Sequence, residues 1–464
     1  MNGLNTLNVP PCPRRDFLQR VITGMGALTL PNILQLRETA AAPTQRSDTS
    51  LILLWQDGGP SQLETFDPKP NAPAEVRGQF DAISTRHPGV QFCENLPRLA
   101  AMSDKFTTIR TVRQASSSHV SATHTFITGY DRTGVLKGPP RNPDVGAVIH
   151  HRRAGRNVQL PDYVALGDGR RGYVGLHRGG TSYLGQSFAP FNVRGDPSDP
   201  EFQIKAFEPH TGDPPHRLHD RARITEQLDR WRREMDHSAE LDTMHRFQQQ
   251  AVSLLTGGAA RRAFDLSLEE PRIRKRYGNF LAGQQLLMAR RLVEAGVSVV
   301  VVRFIPVGDK TKHKKLQEHN SWDDHSESVN IFDISRQRDP QMDHAVSALF
   351  EDLGNRGLDK KVLVVLAGEF GRSPRIENQA GRPGRGHWGA ASSVLFYGGG
   401  FNMGQVIGST DKHAGHPVDR ALKPQDVLAT IYYHLGIDPH YQFLDKLGRP
   451  YPVLPHGEPI EELV

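Results

Sequence analysis

Six consecutive apolar residues, Val362 to Ala367, carry no charge and run straight into Gly368-Glu369-Phe370-Gly371-Arg372. A run of this length, rich in Val and closed by turn residues, reads as a parallel strand buried on both faces. A second such run, Leu51 to Trp55, leads into Gln56-Asp57-Gly58-Gly59-Pro60. Each strand delivers an acidic residue to the carboxyl edge of a sheet, where open α/β folds bind ligands. An acid in a glycine-containing turn, repeated on two distant strands, points to a metal or phosphate-type site.

The rest of the pattern supplies the other layers. Phe106–Val112 alternates as a strand, Val297–Val302 is another buried run, and Ser392–Tyr397 is a further short strand. Helical spacing predicts helices over Leu96–Met102, Asn279–Ala295 (ending at Gly296), Asp343–Gly357 and Pro424–Leu435. Leu218–Leu255 is charged and helical in pattern, with the look of a solvated face. Strand, helix, strand in this order predicts a three-layer α/β sandwich around a mainly parallel central sheet. Residues 131–260, rich at first in Gly, Pro, Arg and Asp with weak periodicity, read as an insertion in a single domain spanning 43–464.

Residues 1–42 read as an address instead of a fold. Arg14-Arg15 precede Phe17-Leu18, a broken apolar stretch runs from Val21 to Leu34, and Ala40-Ala41-Ala42 offers a signal-peptidase site. The order resembles a twin-arginine export signal, which predicts a periplasmic or secreted protein. No second long apolar segment follows, so no transmembrane span is expected. Of two cysteines, Cys12 falls in this leader and Cys93 is left alone. That excludes a disulfide framework and a zinc–thiolate site, so any metal is held by oxygen and imidazole. The formal charge of +6 comes without a dense basic tract or a nucleic-acid module. It favours anionic substrates over nucleic acid.

Five segments place polar residues at strand ends: Asp57, Ser118 with His119, Asp323 with His325, Glu369 and His387. Asp323 and His325 lie two apart, so in extended chain both point the same way and suit one cation. Carboxylates and imidazoles without Cys suit zinc, manganese or iron, and carboxylate-dominated sites suit magnesium, calcium or manganese. Arg372, and secondarily Arg113, could clamp anionic oxygens, with a structural ion pair the equal alternative for Arg372. His119 or His124 could serve as general base or acid. Asp67, Asp343 and His344 read as structural, a turn residue and exposed helix-start residues.

The pieces DGGPSQLETFDPKP, HVSATHTFITGY, YGNFLAGQQLLMARRLVEAGV, WDDH, ALFEDLGNRGL, GEFGRSP, GHW and QDVLATIYYHLGIDP together resemble the DUF1501 family, over nearly all of residues 50–440. That family is similar in outline to the alkaline phosphatase and sulfatase superfamily, whose members use one or two divalent metals to activate a hydroxyl-type nucleophile. The resemblance implies Asp57 as a metal ligand and Glu369-Phe370 where the superfamily has an Asp-His metal pair. Asp323, His325 and His387 would supply the other metal position. Aligning Ser121-Ala122-Thr123 puts Ser118 in the nucleophile slot, whereas counting back from Thr128-Gly129 puts His119 there. No Cys-x-Pro-x-Arg motif is present, which argues against a formylglycine sulfatase. The expectation is an exported divalent-metal-dependent hydrolase of phosphate or sulfate esters, the substrate an anionic small molecule or polysaccharide. The alternative is a non-catalytic metal-containing binding protein for anionic glycans.

Overall fold

The apolar run Ser50–Trp55 forms β1, buried at every position, and it lies at the middle of an eight-stranded sheet. The computed structural model describes residues 48–131, 141–154, 159–167, 180–204, 258–306, 319, 321–445 and 447–464. The other strands are β2 (Thr107–Val112), β3 (Tyr163–Leu166), β4 (Phe191–Val193), β5 (Val299–Arg303), β6 (Val362–Ala367), β7 (Ser392–Gly398) and β8 (Val406–Ile407). Their order is β8-β2-β7-β6-β1-β5-β3-β4. β1 pairs in parallel with both β5 and β6, aligning Leu53 with Val301 and Val365. Only β7 runs against the rest, antiparallel to β2 and to β6.

Alternation along β1 divides the core in two. Ile52 and Leu54 face one cluster, built with α5 (Leu281–Glu294) and α6 (Ile331–Asn355). Leu51, Leu53 and Trp55 face the other, built with α2 (His119–Thr128), α3 (Val145–Arg153) and α7 (Pro424–Leu435). A short α1 (Pro97–Ala101) and α4 (Pro271–Tyr277) complete the helices needed below. The result is the three-layer α/β sandwich with a mainly parallel sheet that the sequence predicts.

Three expectations change. The helix predicted from Asp343 begins at Ile331 and carries Pro340 in its interior. The expected start is therefore twelve residues late, and it falls just past Pro340, a residue type that ordinarily marks a helix boundary. Asp343 is therefore a buried mid-helix residue, and its carboxylate accepts the N–H groups of Arg98 and Leu99, capping the amino end of α1. His344 meets the Arg276 carbonyl through Nε2 at 2.8 Å. Asp67, read as a turn residue, is buried among Lys69, Arg110 and Thr410. Within 131–260, β3 and β4 are strands of the main sheet, β3 paired to β5. The leader and the Leu218–Leu255 helix lie outside the described residues. Among the described residues no helix is long and apolar enough to cross a membrane.

Because β1, β2, β5 and β6 share one direction, their carboxyl ends reach the same edge. The reversed strand β7 begins there instead, so the segment just before it, His387-Trp388, arrives at that edge too. It pairs with Gly371-Arg372 in a two-stranded antiparallel hairpin. Gly58, at φ +114°, lets the turn after β1 close on the 322–323 backbone; a Cβ there would lie 2.5 Å from the Asp323 nitrogen.

Candidate metal centre

Asp323 is the point on which the edge converges. Its Oδ1 lies 3.1 Å from His325 Nε2 and 3.1 Å from His387 Nε2, and accepts a 2.6 Å hydrogen bond from Arg372 Nη2. Its Oδ2 lies 3.2 Å from His119 Nε2. His325 Nε2 and His387 Nε2 are themselves 2.8 Å apart. Asp323 and His325 reach this geometry by a tight coil, with successive bonds from Asp324 N to Trp322 O and from His325 N to Asp323 O, instead of the extended chain predicted. His119, Asp323 and His387 form a group able to hold a metal ion, their ligand atoms all within 4.8 Å of one another.

The far side of each ring sets what its near side can do. His387 Nδ1 lies 2.9 Å from the Ser117 carbonyl, which can only accept, so Nδ1 carries the proton. His119 Nδ1 lies 2.7 Å from Glu369 Oε1, which also accepts the Gly58 N–H at 2.9 Å. In the neutral rings both Nε2 atoms then present lone pairs to the Asp323 oxygens. Acceptors cannot satisfy one another, so this arrangement calls for a cation among them. Ligand atoms around a tetrahedral ion with bonds of about 2.0–2.1 Å stand ~3.3 Å apart, close to the separations found. Ring nitrogens anchored from behind by a carbonyl and a carboxylate are the usual support of a metal-binding imidazole. The residues present therefore fit a divalent metal.

The electrostatics agree. Burial would raise the Asp323 carboxyl, but bonds from His119, His325 and His387 and the charge of Arg372 hold it well below the usual carboxylate range. Burial opposes the charge on His119, yet the Asp323 and Glu369 carboxylates raise it to about 9. His387 is lowered, by burial first and then by the charges of Arg372 and His119. Glu369 is raised by burial and by the like charge of Asp57.

All eight residues expected at the site lie at this edge, in different roles. His119, placed in the sequence as nucleophile or base, belongs to the group able to hold a metal ion. Arg372 is turned inward: it is fully buried and its guanidinium is bonded to the carbonyls of Gly58, Gly59, Trp322 and Arg385 besides Asp323. It orients Asp323 and offers no face to an anion. Asp57 is held by a two-pronged bond from Arg303 to Oδ2, at 3.1 and 3.0 Å. Ser118 stands exposed at the N-cap of α2 and its hydroxyl makes no capping bond. His124 points away, its Nδ1 3.0 Å from the Tyr130 carbonyl at the other end of the helix. Arg113 is exposed.

Sequence reasoning missed the supports. Gln62 exchanges two 2.9 Å bonds with the backbone of Arg372, and Glu64 takes the guanidinium of buried Arg385. Both lie in the turn after β1, so that one turn fixes the hairpin carrying His387. Asp324, the neighbour of Asp323, is clamped by Arg338 and His319. The one signal available was a charged residue closing an apolar run, as Arg303 closes β5.

No curated protein matches the chain. A family model described as "Protein of unknown function (DUF1501)" matches residues 48–464. Among solved structures the chain is similar to a sulfatase from Pseudoalteromonas sp., with 13% identity, a TM-score of 0.38, and 87% of this chain and 70% of that chain covered. It is similar to a phosphonate monoester hydrolase from Silicibacter pomeroyi, with 11% identity, a TM-score of 0.37, and 85% and 74% covered. It is also similar to the C-terminal periplasmic domain of EcEptC from Escherichia coli in complex with zinc, with 11% identity, a TM-score of 0.34, and 85% of each chain covered. These are distant likenesses of overall arrangement.

In metal-free protein His119 has a folded-state pKa above its unfolded value of about 6.5. The linked stability is fully present below pH 6.5 and is lost as pH rises through about 9. Chemical denaturation of chelator-treated protein should show up to about 3 kcal/mol lost across that window. His119→Gln should flatten the slope; an unchanged slope would place the titrating group elsewhere.

Proposed function

The chain belongs to the DUF1501 family, and we propose that it is an exported, metal-dependent hydrolase of phosphate or sulfate esters. The observation that carries this reading is the convergence of imidazole lone pairs on the Asp323 carboxylate at the carboxyl edge of a parallel sheet. His119, Asp323, His325 and His387 would hold the ion. A donor set rich in imidazole favours zinc, manganese or iron over magnesium or calcium, which take oxygen ligands. When bound, such an ion polarises an ester oxygen and lowers the pKa of a hydroxyl or water beside it.

The chain's own residues supply the rest. Ser118 presents a hydroxyl one residue from His119, at the rim of the centre, and is our choice of nucleophile. The amino end of the ten-residue α2, on which Ser118 sits, favours the negative charge of a phosphoryl or sulfuryl group. Asp323, held by Arg372, keeps the three imidazoles in one orientation, and Glu369 and the Ser117 carbonyl fix two of those rings from behind. The substrate class we assign is an oxyanion ester, on a small molecule or on a polysaccharide. Export rests on the Arg14-Arg15 leader and its small-residue cleavage site.

One observation favours the second reading, a binding protein for anionic glycans. Arg372 has every guanidinium nitrogen engaged inside the protein, so the anion clamp expected of it is missing from the site.

The test expresses the protein with its own leader, recovers it from outside the inner membrane, and assays metal-loaded samples on aryl phosphate and sulfate esters. We expect turnover that Ser118→Ala lowers at least ~100-fold with metal content unchanged. Metal-dependent glycan binding without any turnover would replace this reading with the second. A protein that stays in the cytoplasm would remove export.

A further inference from the structure

Two carboxylates that the sequence offers as ligands, Asp57 and Glu369, stand at the metal edge without facing the convergence of lone pairs. Asp57 Oδ2 already receives both prongs of the Arg303 guanidinium, and Arg303 is buried at the end of β5. Glu369 is 1% exposed, and its Oε1 is taken by His119 Nδ1 at 2.7 Å and the Gly58 N–H at 2.9 Å. It therefore stands behind the His119 ring, on the side opposite Asp323. The ring of Phe370, the residue after Glu369, packs against two of the imidazoles, 5.0 Å from His119 and 4.7 Å from His387, centroid to centroid. On one oxygen each carboxylate has a resident partner, a fixed guanidinium for Asp57 Oδ2 and an imidazole N–H for Glu369 Oε1, while the buried Glu369 Oε2 has no hydrogen-bond partner among the described residues. A second cation shared by Glu369 Oε2 and Asp57 would face the positive charge of the Arg303 guanidinium already on Asp57, and the Phe370 ring beside the imidazoles supplies no ligand to it.

We propose that the centre holds a single metal ion, with Glu369 acting as a positioning residue for His119 and not as a ligand. Glu369 fixes the tautomer and the plane of the His119 ring, so that Nε2 faces the ion, and the negative charge behind the ring makes that nitrogen a better donor. Arg303 takes the place at Asp57 that a second ion would otherwise fill. This inference rests on the metal-centre reading of the site, and the experiment separates the two.

Full-length mature protein is stripped with chelator, titrated with zinc, and its bound metal counted by mass spectrometry; affinity is read by competition with a chelating dye. The parent should bind one ion per chain. Asp323→Ala should lose it. Glu369→Gln should still bind one ion, with affinity weakened about 10–100-fold, as expected when the group behind a ligating imidazole loses its charge. Asp57→Asn should also keep one ion. With cobalt in place of zinc, the visible absorption of Glu369→Gln should retain the intensity of the parent, showing an unchanged number of ligands. Two ions per chain in the parent, complete loss of metal in Glu369→Gln, or an affinity unaffected by that change would each overturn the inference. A parent that binds no metal would instead remove the metal-centre reading itself. If Glu369→Gln does not fold, the count in the parent and in Asp57→Asn decides.

Discussion

A carboxylate facing imidazole nitrogens whose protons are held on the far side of the ring has no stable arrangement without a proton or a cation between them, and the edge of this sheet is organised around that requirement. Asp323 gives one oxygen to His325 and His387 and the other to His119. Without a metal, protons supply the charge, which is why His119 is driven toward the imidazolium. With a metal the same lone pairs become ligands. The choice between these two states is the physical content of the site, and Arg372 prepares for both by holding Asp323 ionised and in place.

The fold brings these groups together by strand direction. β1, β2, β5 and β6 end at one edge, and the reversed β7 starts there. His119 follows β2, Asp57 and the gripping residues Gln62 and Glu64 follow β1, Glu369 and Arg372 follow β6, and His387 precedes β7. The turn after β1 does more than present an acid. It bonds the backbone of Arg372 through Gln62 and the side chain of Arg385 through Glu64, so the hairpin bearing His387 cannot shift alone. A site assembled from five segments of chain is held together here because buried polar side chains tie those segments to one another.

Much of this was legible in the chain before any coordinates. Uncharged runs of Val and Leu closed by glycine mark β1 and β6, because a strand buried on both faces tolerates no polar alternation. The acids and imidazoles past those strands mark the site for the same reason: a charge at the end of a buried strand can only lie at its edge. Pro340 hid the first half of α6, since proline is ordinarily read as a boundary. The four and three residues of β3 and β4 were too short to stand out from a stretch rich in Gly and Pro. The role of each side chain was harder to see. Whether Glu369 meets a metal or the back of an imidazole depends on a difference of one ring's width, and spacing along the chain carries no such information. Arg372 had two readings that a fork donor serves equally, and the burial of the whole guanidinium decides for the structural one.

The central claim is that His119, Asp323, His325 and His387 share one ion. The most direct measurement is an anomalous difference map from crystals of zinc-loaded protein, collected on both sides of the metal edge. The account predicts one strong peak per chain, bonded at about 2.0–2.1 Å to imidazole nitrogens and to an Asp323 oxygen. Density on Asp57 and Glu369, or zinc only at scattered surface histidines while the four residues keep their present contacts, would contradict it.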